Sequence, residues 1–371
     1  MTDQITHDPV YNTIDRDDFE SLIQPPRYET RSDAFDGIIS ATHDHFWDPL
    51  DAVYVDFTKP FDIENEYLMP REMCFELRTA VADKLDEKQQ IALANESTRW
   101  SLSGILHGEQ GALSLSASLC HILYDPAAQE YAANQAREEA RHVTGFGKYV
   151  ETRWGRPLPV GEQLGLLLSE LVHTQEVYKK LVGMQMLVEG LAMGAFASLH
   201  ANTNDPVLKR LVQLVMTDEA FHHKFGKIWA EKTIHRLSPE EHNTVEDWAA
   251  QCFETLLFNL SNVRQRKAIY EPFGLDWEWV RDACRECYSE NDRREDLRSN
   301  SNIFRVLVKT LLSAGIITDR TRGLYAAWVN MDDLDAEGDF MIGDAIAAEG
   351  IEDLRKINAK RRKIGQKPIA A

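Results

Sequence analysis

Six residues of metal-binding type form two halves of one pattern: Glu109, Glu139 and His142 recur 80 positions later as Glu189, Glu219 and His222. The dipeptide Asp125-Pro126 recurs at the same offset as Asp205-Pro206. Each half places one carboxylate ahead of a proline turn and a Glu-x-x-His behind it. Side chains at i and i+3 are neighbours on a helix, so each Glu-x-x-His presents an acid and an imidazole on one face. Four carboxylates and two imidazoles converging on one layer of a four-helix bundle are enough for two metal ions, with positions left open for water, dioxygen or substrate.

The donor set is rich in oxygen and poor in nitrogen, which suits iron or manganese better than copper, and zinc would leave two bridging acids without use. Glu189 argues most strongly for a cation. It is flanked by apolar residues in Leu187-Val188-Glu189-Gly190-Leu191, and a carboxylate buried there without a cation or a proton would be expensive. Glu138 and Asp218 precede the Glu-x-x-His acids as another matched pair, and are expected to accept the free N–H of a ligand histidine, which fixes its tautomer. His223 competes with His222, but the repeat favours His222 because His142 is also at i+3. His107 and His121 have no counterpart in the repeat and read as structural or solvent-facing.

These residues need helices to position them. Glu109 lies 16 residues before Asp125 and Glu139 lies 14 after it, so a chain reversal at Asp125-Pro126 leaves both about 22 Å from the turn at a rise of about 1.5 Å per residue. Glu189 and Glu219 straddle Asp205-Pro206 in the same way. The spacing predicts helices over 86–122, 127–153, 160–201 and 206–236. A further helix starts at Ser238-Pro239-Glu240-Glu241, which combines an N-cap, a first-turn proline and a capping-box acid. Another is predicted over 301–314. Residues 1–70 are rich in proline and aromatics and read as an irregular arm packing over the bundle. The bundle itself covers 71–236, and 237–371 reads as a helical extension that buttresses it, all in one continuous domain.

Composition limits the alternatives. The 371 residues carry 41 basic and 60 acidic side chains, a formal charge of −19, which argues against nucleic-acid or anionic-membrane binding. The basic exception runs from Arg355 to Lys367 and reads as a solvated helix end or tail. Leu181 to Leu199 is long and apolar enough for a membrane span, but Glu189 at its centre and its methionines and glycines favour a buried helix in a soluble protein. No apolar run at the start suggests a secretory signal. Five scattered cysteines suggest no disulfide framework and a cytoplasmic setting, and Cys284-x-x-Cys287 reads as chance placement. Gly145-Phe146-Gly147 lies within a helix, so it is no dinucleotide fingerprint.

The order Glu, Glu-x-x-His, Glu, Glu-x-x-His, with the strings Glu138-Glu139-Ala140-Arg141-His142 and Asp218-Glu219-Ala220-Phe221-His222, resembles the ferritin-like di-iron carboxylate superfamily. Within it the chain is similar to the oxidase and oxygenase branch, including bacterial di-iron monooxygenases and ribonucleotide reductase small subunits. The resemblance covers about residues 90–230 and implies an all-α, ferritin-like four-helix bundle with an added N-terminal arm and C-terminal helices. Three positions depart from named subfamilies. Phe146 replaces the radical tyrosine of reductase small subunits, Met193 the threonine of multicomponent hydroxylases, and Val215 the additional histidine of arylamine N-oxygenases.

The resemblance further implies an enzyme, a non-haem di-iron oxygenase or hydroxylase that activates dioxygen to oxidise an organic substrate. Two iron ions are the expected cofactor, with manganese or a mixed manganese/iron pair as the alternative. With no dinucleotide site in the chain, electrons would come from a separate reductase or ferredoxin, and a homodimer is expected from resemblance alone. A di-metal oxidase or catalase-like protein, or a non-catalytic iron-binding protein, are the competing readings. Positions about one turn from a ligand, namely Ala112, Leu113, Ser116, Phe146, Leu191, Ala192, Met193 and Phe196, are the expected lining of a substrate pocket.

Overall fold

A computed structural model describes residues 5–7, 9–43, 45–287, 303–336 and 343–364. Asp8, Lys367 and the first two residues of the helix predicted over 301–314 lie outside these. Among the described residues the chain is all-helical, and its β-structure is limited to one isolated bridge between Thr13 and Leu123. The long helices are α1 (Glu87–Ile122), α2 (Pro126–Trp154), α3 (Glu162–His173), α4 (Val177–Asn202), α5 (Pro206–Thr233) and α6 (Pro239–Ser261). They are followed by α7 (Trp277–Cys287), α8 (Ile303–Ser313) and α9 (Asp344–Ile364).

Local chemistry sets the ends. Asp86 and Gln89 form a capping box at the start of α1. Asp125 caps α2 by accepting from the amides of Ala127 and Ala128 at 2.8 and 2.9 Å, and Asp205 caps α5 by accepting from Val207 at 2.8 Å. The following proline occupies the first turn in both, where its missing N–H costs nothing. Gly155, at φ 80°, ends α2 in the left-handed conformation that glycine adopts without strain. The repeated Asp-Pro thus builds two antiparallel hairpins, α1–α2 and α4–α5, and α2 packs on α5.

The predicted helix over 160–201 is not continuous. It breaks at Thr174–Glu176, between α3 and α4. Buried Lys180 reaches back from α4 and donates from Nζ to the carbonyls of Leu171 and Val172 at 3.0 and 2.9 Å, and to Ser118 Oγ at 2.7 Å. Those carbonyls would bond forward in an unbroken helix, so the lysine replaces the lost backbone donors. Within α4, Leu181–Val188 is π-helical. A π turn inserts a residue without changing composition, so a 3.6-residue period gives no warning of it. Val177–Asn202 is long and apolar enough to cross a membrane, yet it is mostly buried, against α5, α6 and α8.

Burial pushes the Lys180 amine down to about 7. The folded pKa lies below the unfolded one, so from about 7 to the ordinary lysine range the unfolded chain binds the extra proton, and stability rises with pH across that window. Urea midpoints should rise more between neutral and alkaline pH in the wild type than in Lys180→Met.

Two apolar cores lie on opposite sides of the six residues. One takes Ala112 to Ile122 of α1 and the following Leu123, Ala127 to Ala132 of α2, the first part of α4 up to Val188, and Phe225 to Ala230 of α5. The other takes Leu102, Phe146 to Val150, Met193 to Leu199, and Val207 to Met216, together with Trp47, Tyr54 and Val55 from the N-terminal arm. On every one of these four helices the acid or Glu-x-x-His falls where the chain passes from one core to the other. The polar layer is therefore sealed at both ends by packed side chains.

Candidate metal centre

The layer is buried: Glu109 and Glu189 are 4% and 2% exposed, and Glu139, His142, Glu219 and His222 are fully enclosed. The six residues form two overlapping groups, Glu109, Glu139, His142, Glu219 and Glu139, Glu189, Glu219, His222, each with one donor atom per residue within 4.8 Å of the others. Glu139 and Glu219 belong to both groups. Glu109 and Glu189 belong to one group each. His142 Nδ1 lies 3.1 Å from Glu109, 3.2 Å from Glu139 and 3.2 Å from Glu219. His222 Nδ1 lies 3.0 Å from Glu139 and 3.2 Å from Glu219.

The outward nitrogens are held crosswise. His142 Nε2 donates to Asp218 of the other hairpin at 3.0 Å, and His222 Nε2 donates to Glu138 of the other hairpin at 3.0 Å. With an N–H fixed on Nε2, each Nδ1 faces the acids, and release of its proton to a cation there would leave the lone pair that a metal-binding imidazole requires. Gln135 donates to Glu139 Oε1 at 3.1 Å and exchanges hydrogen bonds with Gln185, which lies in the π-helical segment.

The electrostatics call for positive charge. Burial pushes Glu109 and Glu189 well above the usual carboxylate range, and neighbouring Glu139 and Glu219 add to the shift. Burial also acts against ionised Glu139 and Glu219, but His222 and His142 hold both below their ordinary value. Against the effect of burial, the surrounding acids raise both imidazoles well above theirs. Protons thus gather where cations would. Glu189 Oε1, moreover, finds no hydrogen-bond donor. Hard, buried, mutually repelling oxygens, Glu189 Oε1 among them without a partner, are a donor set that fits divalent cations.

The N-terminal arm closes the layer. Trp47 Nε1 and Arg141 Nη2 each donate to Asp218 at 2.8 Å, and His45 Nε2 lies 3.2 Å from the same carboxylate. The Trp47 ring stacks on His142 at 6.1 Å. Sequence reasoning missed His45, Trp47 and Arg141. The available signals were a histidine within the aromatic run His45-Phe46-Trp47 and an arginine inside the motif itself. The other histidines lie elsewhere. His107 Nε2 donates to the Leu158 carbonyl at 2.9 Å, His121 is exposed, and His223 lines a separate cavity of about 170 Å³ with Lys224.

A largely apolar cavity of about 410 Å³ opens onto Glu109 and Glu189. Ala112, Leu191 and Ala192 line it as expected from their spacing, whereas Leu113, Ser116, Phe146, Met193 and Phe196 do not. The cavity extends from Glu109 toward the beginning of α1, past Ile105 and Ser101, leaving Leu113 and Ser116 behind it. Phe146 stacks on Phe196 at 5.7 Å, and both join Met193 in the core on the opposite face. From the C-terminal part, Leu256, Asn259, Leu260 and Arg266 supply part of the cavity wall. All five cysteines are free; Cys284 is buried and exposed Cys287 donates to the Arg78 carbonyl.

Comparison with known proteins gives no match to any family model and none to any curated protein.

Proposed function

We propose that this protein is a ferritin-like di-iron oxygenase, with Glu109, Glu139, His142, Glu189, Glu219 and His222 as ligands. The observation that carries the reading is the cavity: a buried, cation-demanding layer opens through Glu109 and Glu189 onto an apolar space. A storage site would need a path for hydrated ions instead. Bound iron would supply the redox chemistry for RH + O₂ + 2 e⁻ + 2 H⁺ → ROH + H₂O, with electrons from a separate reductase or ferredoxin. The chain's own residues do the rest. Asp218 and Glu138 hold the histidine tautomers, Trp47 and the two cores exclude water, and Ile105, Leu191 and Ala192 hold an apolar group beside the acids. Manganese or a mixed pair fits the same donors, and a cytoplasmic setting accords with the free thiols.

Metal analysis after expression with added iron should find about two ions per chain, as the two overlapping groups imply. Chemically reduced protein given ¹⁸O-labelled dioxygen and a panel of medium-chain alkyl and monocyclic aromatic compounds should place label in a product. Less than one ion per chain, or label in water alone across the panel, would overturn the reading. Ala192→Trp, which fills the cavity beside the acids, should retain the metal and lose the product.

A further inference from the structure

The cavity is apolar along most of its length but polar at the end remote from the acids. Trp100 and Ser97 lie nine and twelve residues before Glu109 on α1, about 13 and 18 Å away along the helix. At that level Arg266 sits 4.5 Å over the Trp100 ring and donates to Glu76 at 3.2 Å, and Tyr270 donates to the same Glu76 oxygen at 2.7 Å. One further group lining the cavity has no partner, Asn259 Oδ1, in a residue only 7% exposed, while the Ser97 hydroxyl, in a residue 8% exposed, meets only the weakly hydrogen-bonding Cys74 thiol. Buried polar atoms are nearly always hydrogen-bonded, so an orphaned amide oxygen on this cavity, with a weakly satisfied hydroxyl also lining it, points to a ligand.

Resting on the oxygenase reading of the acid layer, we infer that the substrate is an elongated apolar molecule ending in an uncharged hydrogen-bonding group, a hydroxyl or a carboxamide. That group seats among Asn259, Ser97 and Arg266, and the apolar end lies beside Glu109 and Glu189. The charge balance selects the head. Arg266 and Glu76 already neutralise one another, so an anion would be driven against Glu76 and a cation against Arg266. A hydroxyl or carboxamide can accept from the guanidinium and donate to Asn259 Oδ1. A carboxylate has no proton to give Asn259. The walls between the two ends, among them Ile105, Leu191, Ala195 and Leu199, are mainly apolar, and the Thr98 and Ser101 hydroxyls are already spent on the Ala94 and Ser97 carbonyls.

The test is calorimetric titration of the full-length protein, metal-free and iron-loaded, with 1-octanol, octanamide, octanoate and octylammonium. Octanol and octanamide should bind at least about tenfold more tightly than either ion, and Asn259→Leu should weaken octanol about tenfold. Its melting temperature and metal content should stay as in the wild type. Tighter binding of octanoate or octylammonium, or an Asn259→Leu protein that binds octanol as before, would overturn the inference. The wild-type ranking decides the matter even where the variant fails to fold. Because the ranking is also read on metal-free protein, a pocket that discriminates in a chain that takes up no iron would separate failure of the oxygenase reading from failure of the head-group assignment.

Discussion

Metal-free Glu189→Leu should unfold at a higher denaturant concentration than the metal-free wild type, and the order should reverse once both are loaded. Glu189 is buried between two cores, its Oε1 has no donor, and Glu219 and Glu139 repel its charge. Without a cation, desolvation and repulsion outweigh the attraction of His222, so an apolar residue of similar volume should gain about 1–3 kcal/mol. With metal present the same oxygen becomes a ligand and its loss is felt as lost binding energy. Stoichiometry should follow the geometry. Glu189 belongs to one donor group and Glu139 to both, so Glu189→Leu should retain about one ion per chain and Glu139→Ala almost none. Chemical denaturation with and without iron, beside metal analysis, measures both. A Glu189→Leu protein destabilised in the metal-free state, or a Glu139→Ala protein with the full complement of metal, would sink the assignment.

Asp218→Ala is expected to be the most damaging change outside the six proposed ligands, at about 3–5 kcal/mol. Burial works against this carboxylate, yet Arg141, His142 and His45 hold it well below the usual range. Removing it strands the Arg141 guanidinium, the Trp47 indole N–H and the His142 Nε2–H in a buried region. Glu138→Ala should cost less, because Glu138 receives one close donor, His222 at 3.0 Å, and a more distant Arg141 at 3.7 Å. Denaturant titration of the two variants side by side checks the order. Because the folded pKa of Asp218 is depressed, its contribution is complete above the ordinary carboxylate range and fades only as pH falls below it. The gap between wild type and Asp218→Ala should therefore be flat around neutral pH and close in acid.

Much of the architecture was legible because its signals are local. Asp-Pro at an offset of 80 announced two hairpins, and matched counts on either side of each turn placed Glu109 level with Glu139 and Glu189 level with Glu219. The i, i+3 pairs and the acids preceding them likewise follow from helix geometry alone. What stayed hidden depends on partners distant in sequence. Trp47 meets Asp218 across 171 positions, and nothing near either residue encodes that contact. The break at Thr174 depends on Lys180 finding carbonyls one helix back, and the π-helical stretch before Glu189 leaves no trace in periodicity. The direction of the cavity was also unreadable. A residue one turn from Glu109 can lie toward Ser101 or toward Ser116, and only the packing of α3 and α6 decides which side stays open.

The crossed hydrogen bonds carry one more consequence. Glu138 touches His222, and adding 80 to 138 and subtracting 80 from 222 yields the other contact, Asp218 with His142. Residue i meets j and the equivalent of j meets the equivalent of i, which is the rule of a two-fold symmetric homodimer written within one chain. The local axis passes between the two imidazoles, whose centroids are 5.8 Å apart. Departures from that axis are therefore informative. Glu109 is paired with His142, while among the described residues no ion pair joins Glu189 to His222, and only the second hairpin enters the layer through a π turn. A perfect dyad would make the two halves of the layer interchangeable; this one makes them chemically distinguishable.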